Sequence, residues 1–287
     1  MYLQFHQLTA MPFENTPDPR FFFLSEDHRE ALANLVYAAR SQKGLVLITG
    51  DIGMGKTTTS YFLESGLGKT TTLSVIRHAP STPKQLLWTI ADDLGLATRR
   101  TATRAELAKA IRCELYRQHE AGQTVLLMID EAQALPVSVL DEVRLLTNIE
   151  TATRKLCQVL LIGQSELIDV LAHRRLTALR QRIVLAHHIR PFDRNTTARY
   201  IKHRIRVASE ATPRPCFTDP ALDRLHEISG GVIRRINVIA DKALLVASVR
   251  QTHRIDVDEV NEAAQPVTEL FDGADASRPG NPMKKAA

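Results

Sequence analysis

The sequence predicts an α/β fold: a five-stranded parallel sheet flanked by crossover helices, followed by a smaller helical lid. Three observations predict it. Strand-like apolar runs alternate with helix-like segments between Gly44 and Ala186, a pattern that builds parallel sheets from βαβ units. A glycine-rich loop, Gly50-Asp51-Ile52-Gly53-Met54-Gly55-Lys56-Thr57, joins the first of these runs to a helix. The third run, Thr124-Val125-Leu126-Leu127-Met128-Ile129, is apolar throughout and ends in Asp130-Glu131. A strand without polar alternation is one covered on both faces.

The elements follow in order. Ser25 can cap a helix running to about Arg40, and Gly44 breaks it before the first strand at residues 45–49. Residues 58–66 read as the helix after the loop, and 71–76 as the second strand. Ser81 is the expected cap of a helix bearing Leu86, Leu87, Ile90 and Leu94, and Thr103 with Glu106 has capping-box spacing. The third, fourth and fifth strands fall at 125–129, 158–162 and 183–186. Beyond them, residues 194–207 form a helix, and Thr218 or Asp219 with Pro220 begins another that Gly230-Gly231 ends. Residues 233–249 and 256–264 complete an all-helical lid. The expected domains are 1–190 for nucleotide binding, including the N-terminal segment, and 191–268 for the lid. Residues 269–287 form a tail whose composition does not support a packed core.

The loop matches the phosphate-binding pattern G-x-x-x-x-G-K-[ST]. Glycines let consecutive backbone N–H groups of Gly50 to Thr58 turn inward on phosphate, Lys56 reaches the β and γ oxygens, and the Thr57 hydroxyl suits Mg²⁺. The following helix adds the positive end of its dipole. At the end of the third strand Asp130 is the expected Mg²⁺ carboxylate, acting through bound water, and Glu131 the base that polarises the attacking water. The expected ligands are therefore ATP and Mg²⁺.

Composition excludes some classes. The 287 residues are 44% hydrophobic, with a net charge of +5. No apolar run approaches the roughly 20 residues that cross a bilayer, and residues 1–10 lack a charged region followed by an apolar one. The expected location is cytoplasmic. Cys113, Cys157 and Cys216 are widely spaced and odd in number, which argues against a disulfide framework; Cys157 is expected in a strand. Basic residues crowd 174–206: Arg174, Arg175, Arg180, Arg182, Arg194, Arg199, Lys202, Arg204 and Arg206. They suit solvated helix faces, contacts with a neighbouring subunit, or a phosphate backbone.

A wider set of motifs carries a family resemblance. Pro12-Phe13, Thr16-Pro17-Asp18-Pro19-Arg20 and His28-Arg-Glu-Ala-Leu32 come first. Ile129-Asp-Glu-Ala-Gln133, Leu145-Leu-Thr-Asn148, Leu161-Ile-Gly-Gln164, Leu179-Arg-Gln-Arg-Ile183 and Gly230-Gly-Val-Ile-Arg-Arg-Ile-Asn237 follow. In these the chain resembles the AAA+ ATPases of the ExeA/GspA family of bacterial general secretion and the single-domain MshM proteins of pilus biogenesis, over about residues 1–265.

The resemblance implies further roles. Pro17, Asp18 and Pro19 would frame adenine, with a rigid N-terminal turn as the alternative. Gln164 would act as the polar sensor beside the γ-phosphate, with Asn148 assisting or capping a helix. Arg234 matches the lid arginine called sensor 2, with Arg235 as the alternative because Ile233 stands where the family has proline. Arg180 or Arg182, Arg182 preferred, would supply an arginine finger to a neighbouring subunit, so a homo-oligomer, ring or filament, is implied.

The resemblance also implies secretion or pilus machinery as partners. Longer secretion members continue into a transmembrane helix and a peptidoglycan-binding segment, for which this length leaves no room. Transposition target-selection ATPases share the core motifs, which makes duplex DNA the alternative partner. A nucleotide-gated scaffold with little hydrolysis is the third reading, and the intact Lys56, Thr57, Asp130 and Glu131 speak against it.

Overall fold

The computed structural model describes residues 2–16, 18–41, 44–66, 68, 70–99, 101–210 and 215–265. These residues divide into two compact units, one built from 24–190 and the other from 2–23 with 191 onward.

The chain opens with α1 (Tyr2–His6). The first unit then runs α2 (Glu26–Ser41), β1 (Leu45–Gly50), α3 (Lys56–Gly66), β2 (Thr71–Ile76), α4 (Pro83–Asp93), α5 (Arg104–Glu120) and β3 (Thr124–Ile129). It continues with α6 (Val137–Leu146), β4 (Cys157–Gly163), α7 (Glu166–Ala172), α8 (Thr177–Arg180) and β5 (Ile183–Ile189). The strands form one parallel sheet in the order β2-β3-β4-β1-β5.

Burial explains which strands were easy to recognise. β1 and β4 are buried at every residue and β3 at all but its first, so their apolar runs cover the middle of the sheet on both faces. The outer strand β5 alternates between half-buried and exposed positions, and it extends to Ile189 rather than stopping at Ala186. The polar His187-His188 pair looks like a strand end. Main-chain pairing of His187 with Ile48, His188 with Thr49 and Ile189 with Gly50 does not depend on side-chain polarity. Cys157 lies buried in β4, where burial pushes its thiol up to about 12 and leaves it unreactive.

Helix starts follow local chemistry. Thr103 and Glu106 make the expected capping box on α5, a motif whose side-chain cap is worth about 1 kcal/mol. The cap of α4 is Thr82 and not Ser81: Pro83 takes the first helical position, so the residue before it must be the cap. Ser81 instead donates its backbone N–H to Gln85 Oε1 at 2.9 Å.

The second unit holds α9 (Arg194–Val207), β6 (Cys216–Phe217), α10 (Asp219–Ser229), α11 (Ile233–Val249), β7 (Arg254–Ile255) and α12 (residues 257–265). Thr218 caps α10 and Gly230 ends it in a left-handed conformation. The lid is not all-helical, because β6 and β7 pair in parallel. Two-residue strands have no periodicity to reveal them.

Gly231 is required by space, since a Cβ there would sit 2.0 Å from the Phe192 carbonyl oxygen.

Residues 2–23 group with this second unit, whereas chain order placed them with the nucleotide domain. The buried Arg204 guanidinium donates to the carbonyls of Pro12 and Glu14, and Asn237 donates to Asn15 at 3.0 Å. Phe13, Phe21 and Phe23 pack with Phe217, Phe192 and Tyr200 in one core. The expected tail from residue 269 lies outside the described residues.

Candidate nucleotide-binding site

The glycine loop sits at the carboxyl end of β1, where ligands of parallel sheets bind. Gly53 and Gly55 take φ of 82° and 78°, the left-handed region that glycine enters without a Cβ penalty. Gly50 is needed for another reason, because a Cβ there would approach the Ile189 carbonyl oxygen at 2.9 Å. Ile52 is exposed, while Met54 is fully buried and points the loop's apolar residue into the domain.

Lys56 begins α3 and folds back over the loop. Its Nζ donates to the carbonyls of Gly50 at 2.7 Å and Asp51 at 2.8 Å, so it is aimed across the concave side of the loop. Burial lowers its pKa, opposed by the nearby charges of Glu131, Asp130, Asp51 and Glu166. The carbonyls and nearby carboxylates are what let this ammonium stay charged while buried.

Thr57 and Asp130 meet at the base of the loop, the Thr57 hydroxyl donating to Asp130 Oδ2 at 3.0 Å. Asp130 Oδ1 accepts the Glu131 backbone N–H at 2.9 Å, which orients the carboxylate. A hydroxyl and a carboxylate oxygen at this distance are the hard oxygen donors that Mg²⁺ takes in phosphate sites, so the residues present fit that ion.

Glu131 stands at φ 52°, ψ 38° before a 3-10 turn of Ala132–Ala134. The left-handed conformation costs a non-glycine residue roughly 1 to 2 kcal/mol, so neighbouring contacts must hold it. Two amides do. Gln133 Nε2 donates to Glu131 Oε2 at 2.6 Å, and Gln164 Nε2 donates to the same oxygen at 3.3 Å. Gln164, just past the end of β4, is thereby brought beside the acidic pair. Ser165 closes the other side with a 2.6 Å hydrogen bond to Asp51 Oδ1.

Other sequence-derived candidates have different surroundings. Arg182 donates from Nη1 to the Arg144 carbonyl at 3.3 Å, whereas Arg180 is exposed at the end of α8, with no hydrogen bond or ion pair to it among the described residues. Asn148 is exposed one residue beyond Thr147, which caps α6. In the second unit Arg234 is exposed and Arg235 half-buried, both in the first turn of α11. Pro17 lies outside the described residues. Asp18 caps the 3-10 turn Pro19–Phe21, accepting from the Arg20 backbone at 3.0 Å and pairing with its guanidinium at 2.6 Å.

Two residues of the site went unassigned in the sequence. Gln133 was visible only as the last letter of a motif. His28, on α2 and 1% exposed, donates from Nε2 to the Met54 carbonyl at 3.2 Å, while Nδ1 meets the Ser25 hydroxyl at 2.6 Å. Its signal was a histidine three residues after a cap, which does not disclose a contact with a loop 26 residues on.

A parallel sheet with a phosphate loop after β1 and an acidic pair after β3 defines an AAA-type P-loop nucleotide-binding protein, and residues 39–171 match the family model described as AAA domain. General secretion pathway protein A from Aeromonas hydrophila is 39% identical over 272 residues, covering 95% of this chain and 49% of that protein. The chain is thus similar to general secretion pathway protein A and carries an AAA domain, and it spans about half the length of the curated relative it matches.

Solved structures share the fold. The ORC2 protein of Aeropyrum pernix, in ADPNP-ADP complexes, aligns over 94% of this chain and 74% of its own with TM-score 0.66 at 17% identity. Cdc6p from Pyrobaculum aerophilum aligns over 91% and 74% with TM-score 0.66 at 15% identity. The RuvB Holliday junction branch migration motor of Thermotoga maritima aligns over 85% and 70% with TM-score 0.52 at 16% identity. At these identities the likeness is one of fold.

Proposed function

We propose that the protein hydrolyses ATP with Mg²⁺ as one subunit of an oligomer, using the energy for assembly or conformational work on the cytoplasmic side of a secretion or pilus apparatus. The observation that carries the chemical part is Glu131, a carboxylate beside the Thr57–Asp130 pair and held by two amides. The loop from Gly50 to Thr58 and the Lys56 ammonium cradle the triphosphate. Thr57 and Asp130 hold Mg²⁺, which would neutralise charge on the phosphate oxygens. Glu131 accepts the proton of the attacking water, and Gln164 contacts that water or the γ-phosphate. Such a base has no purpose in a scaffold that only binds.

Arg180 is the better-supported arginine finger. It is exposed, whereas Arg182 is engaged with Arg144. Arg234, exposed at the start of α11, remains the choice for the lid arginine, and residues 17–19 for framing adenine. The secretion role rests on the 39% identity to general secretion pathway protein A. Among the described residues no helix is long and apolar enough to cross a membrane. The DNA reading keeps one supporting observation, the exposed Arg174, Arg175 and Arg180.

Glu131→Gln tests the assignment. It should bind ATP with little change while turnover falls at least ~100-fold, the typical share of a general base. Unchanged turnover would remove Glu131 from the mechanism, and a change in affinity alone would make it a binding residue.

A further inference from the structure

We infer that Gln133 is a positioning residue for hydrolysis: it locks the Glu131 carboxylate to the backbone at the end of β4. This rests on Glu131 being the base, and it adds a residue that the phosphate-loop and acidic-pair motifs leave without a role.

The orientation of the amide follows from its partners. Gln133 Oε1 faces the backbone N–H of Gln164 at 3.0 Å, and an N–H can only donate. That atom must therefore be the oxygen, and the NH₂ group necessarily faces Glu131 Oε2, 2.6 Å away. Reversing the amide would set two donors against each other at one end and two acceptors at the other. The network thus admits one orientation.

Space enforces the same geometry. A Cβ on Gly163 would fall 2.8 Å from Gln133 Oε1 and 2.7 Å from Leu167 Cδ2. Residue 163 has an ordinary negative φ, so glycine is present there for room and not for backbone freedom. Its missing side chain is what lets the Gln133 amide reach the Gln164 N–H.

The consequence is chemical. A general base needs an ionised carboxylate with a fixed plane and one oxygen open to water. Gln133 engages Oε2 by the shorter of the two amide hydrogen bonds, which fixes the carboxylate plane and leaves Oε1 for the reacting water. Because the other end of the amide is tied to Gln164, a displacement of the β4 end is transmitted to the base.

Gln133→Met preserves length and removes both hydrogen bonds. Gly163→Ala disturbs the same amide without altering it. In the full-length, assembled protein with saturating ATP and Mg²⁺, both should lower kcat by roughly tenfold or more, a fraction of what a general base supplies. ATP affinity measured with a fluorescent analogue should stay within about twofold. KM for ATP should likewise be unchanged, so that the loss falls on kcat alone, and Gln133→Glu, which can accept from the Gln164 N–H but cannot donate to Glu131, should not restore it.

Glu131→Gln measured alongside separates the two ideas. If it abolishes turnover while Gln133→Met keeps wild-type kcat and KM, the positioning role is overturned and the base stands. If Glu131→Gln retains full turnover, the underlying assignment falls first. A kcat loss in Gln133→Met that tracks lost thermal stability, with KM for ATP rising alongside, would make Gln133 structural and likewise overturn the inference.

Discussion

The Thr57 hydroxyl donates to Asp130 Oδ2 at 3.0 Å, joining residues 73 positions apart. One stands in the first turn of α3 and the other just past β3, so the contact exists because the sheet brings the ends of β1 and β3 to the same edge. Removing either oxygen should separate metal use from nucleotide binding. With Thr57→Ala or Asp130→Asn, nucleotide should still bind in the presence of chelator, and the Mg²⁺ concentration for half-maximal turnover should rise roughly tenfold or more. Titrating Mg²⁺ against ATPase rate checks this; an unchanged Mg²⁺ requirement in both variants would contradict the metal assignment.

The contrast between Arg180 and Arg182 gives a second prediction. Arg180→Ala should cost ~10³-fold in turnover if it stabilises the transferring phosphoryl group of a neighbour. Arg182→Ala loses a hydrogen bond to the Arg144 carbonyl and should cost far less. Activity per subunit should rise with protein concentration, and light scattering should show oligomers promoted by ATP and Mg²⁺. A monomer that hydrolyses ATP at full rate would refute a shared site.

His28 predicts a pH dependence of stability. The Met54 carbonyl can only accept, so the imidazole carries its proton on Nε2 and Nδ1 accepts from Ser25. Burial lowers its pKa, with Asp27 of the same helix opposing and His187 of β5 reinforcing that shift. A histidine that is harder to protonate when folded contributes stability above its unfolded pKa of about 6.5, and that stability is lost as pH falls below it. The slope is at most about 1.4 kcal/mol per pH unit. Thermal melts from pH 7.5 to 5.5 should show a shallower fall in His28→Gln than in the unaltered protein. Parallel curves would show that His28 does not titrate with folding.

Salt distinguishes the biological roles. Arg194 pairs with Asp223 and Asp219, Arg199 lies over Phe23, and Arg204 is buried, so these belong to the fold of the second unit. Arg174, Arg175 and Arg180 in the first unit, and Lys202 and Arg206 in the second, are left as exposed cations. If they follow a phosphate backbone, duplex DNA should bind with a non-hydrolysable ATP analogue, and log affinity should fall with log salt at a slope of roughly −0.9 per phosphate. Filter binding or anisotropy at about 50 mM salt measures it. No binding there removes the DNA reading and leaves the secretion-type role.

By itself the sequence determined the local features of this protein. The glycine loop, the acidic pair and the three inner strands depend on residues close in the chain: positive φ at Gly53 and Gly55, and unbroken apolar runs such as Val125 to Ile129. Helix caps were nearly as legible, and the one error, Ser81 for Thr82, was a neighbour of the true cap. Tertiary structure alone decided which distant groups meet. It set Thr57 on Asp130, Gln133 between Glu131 and Gln164, and His28 under Met54; it tied Arg182 to Arg144 and packed residues 2–23 onto the helices after 190. These contacts depend on the order of strands in the sheet and on which polar groups remain for one another once the backbone has paired. Neither is written in any short stretch of residues.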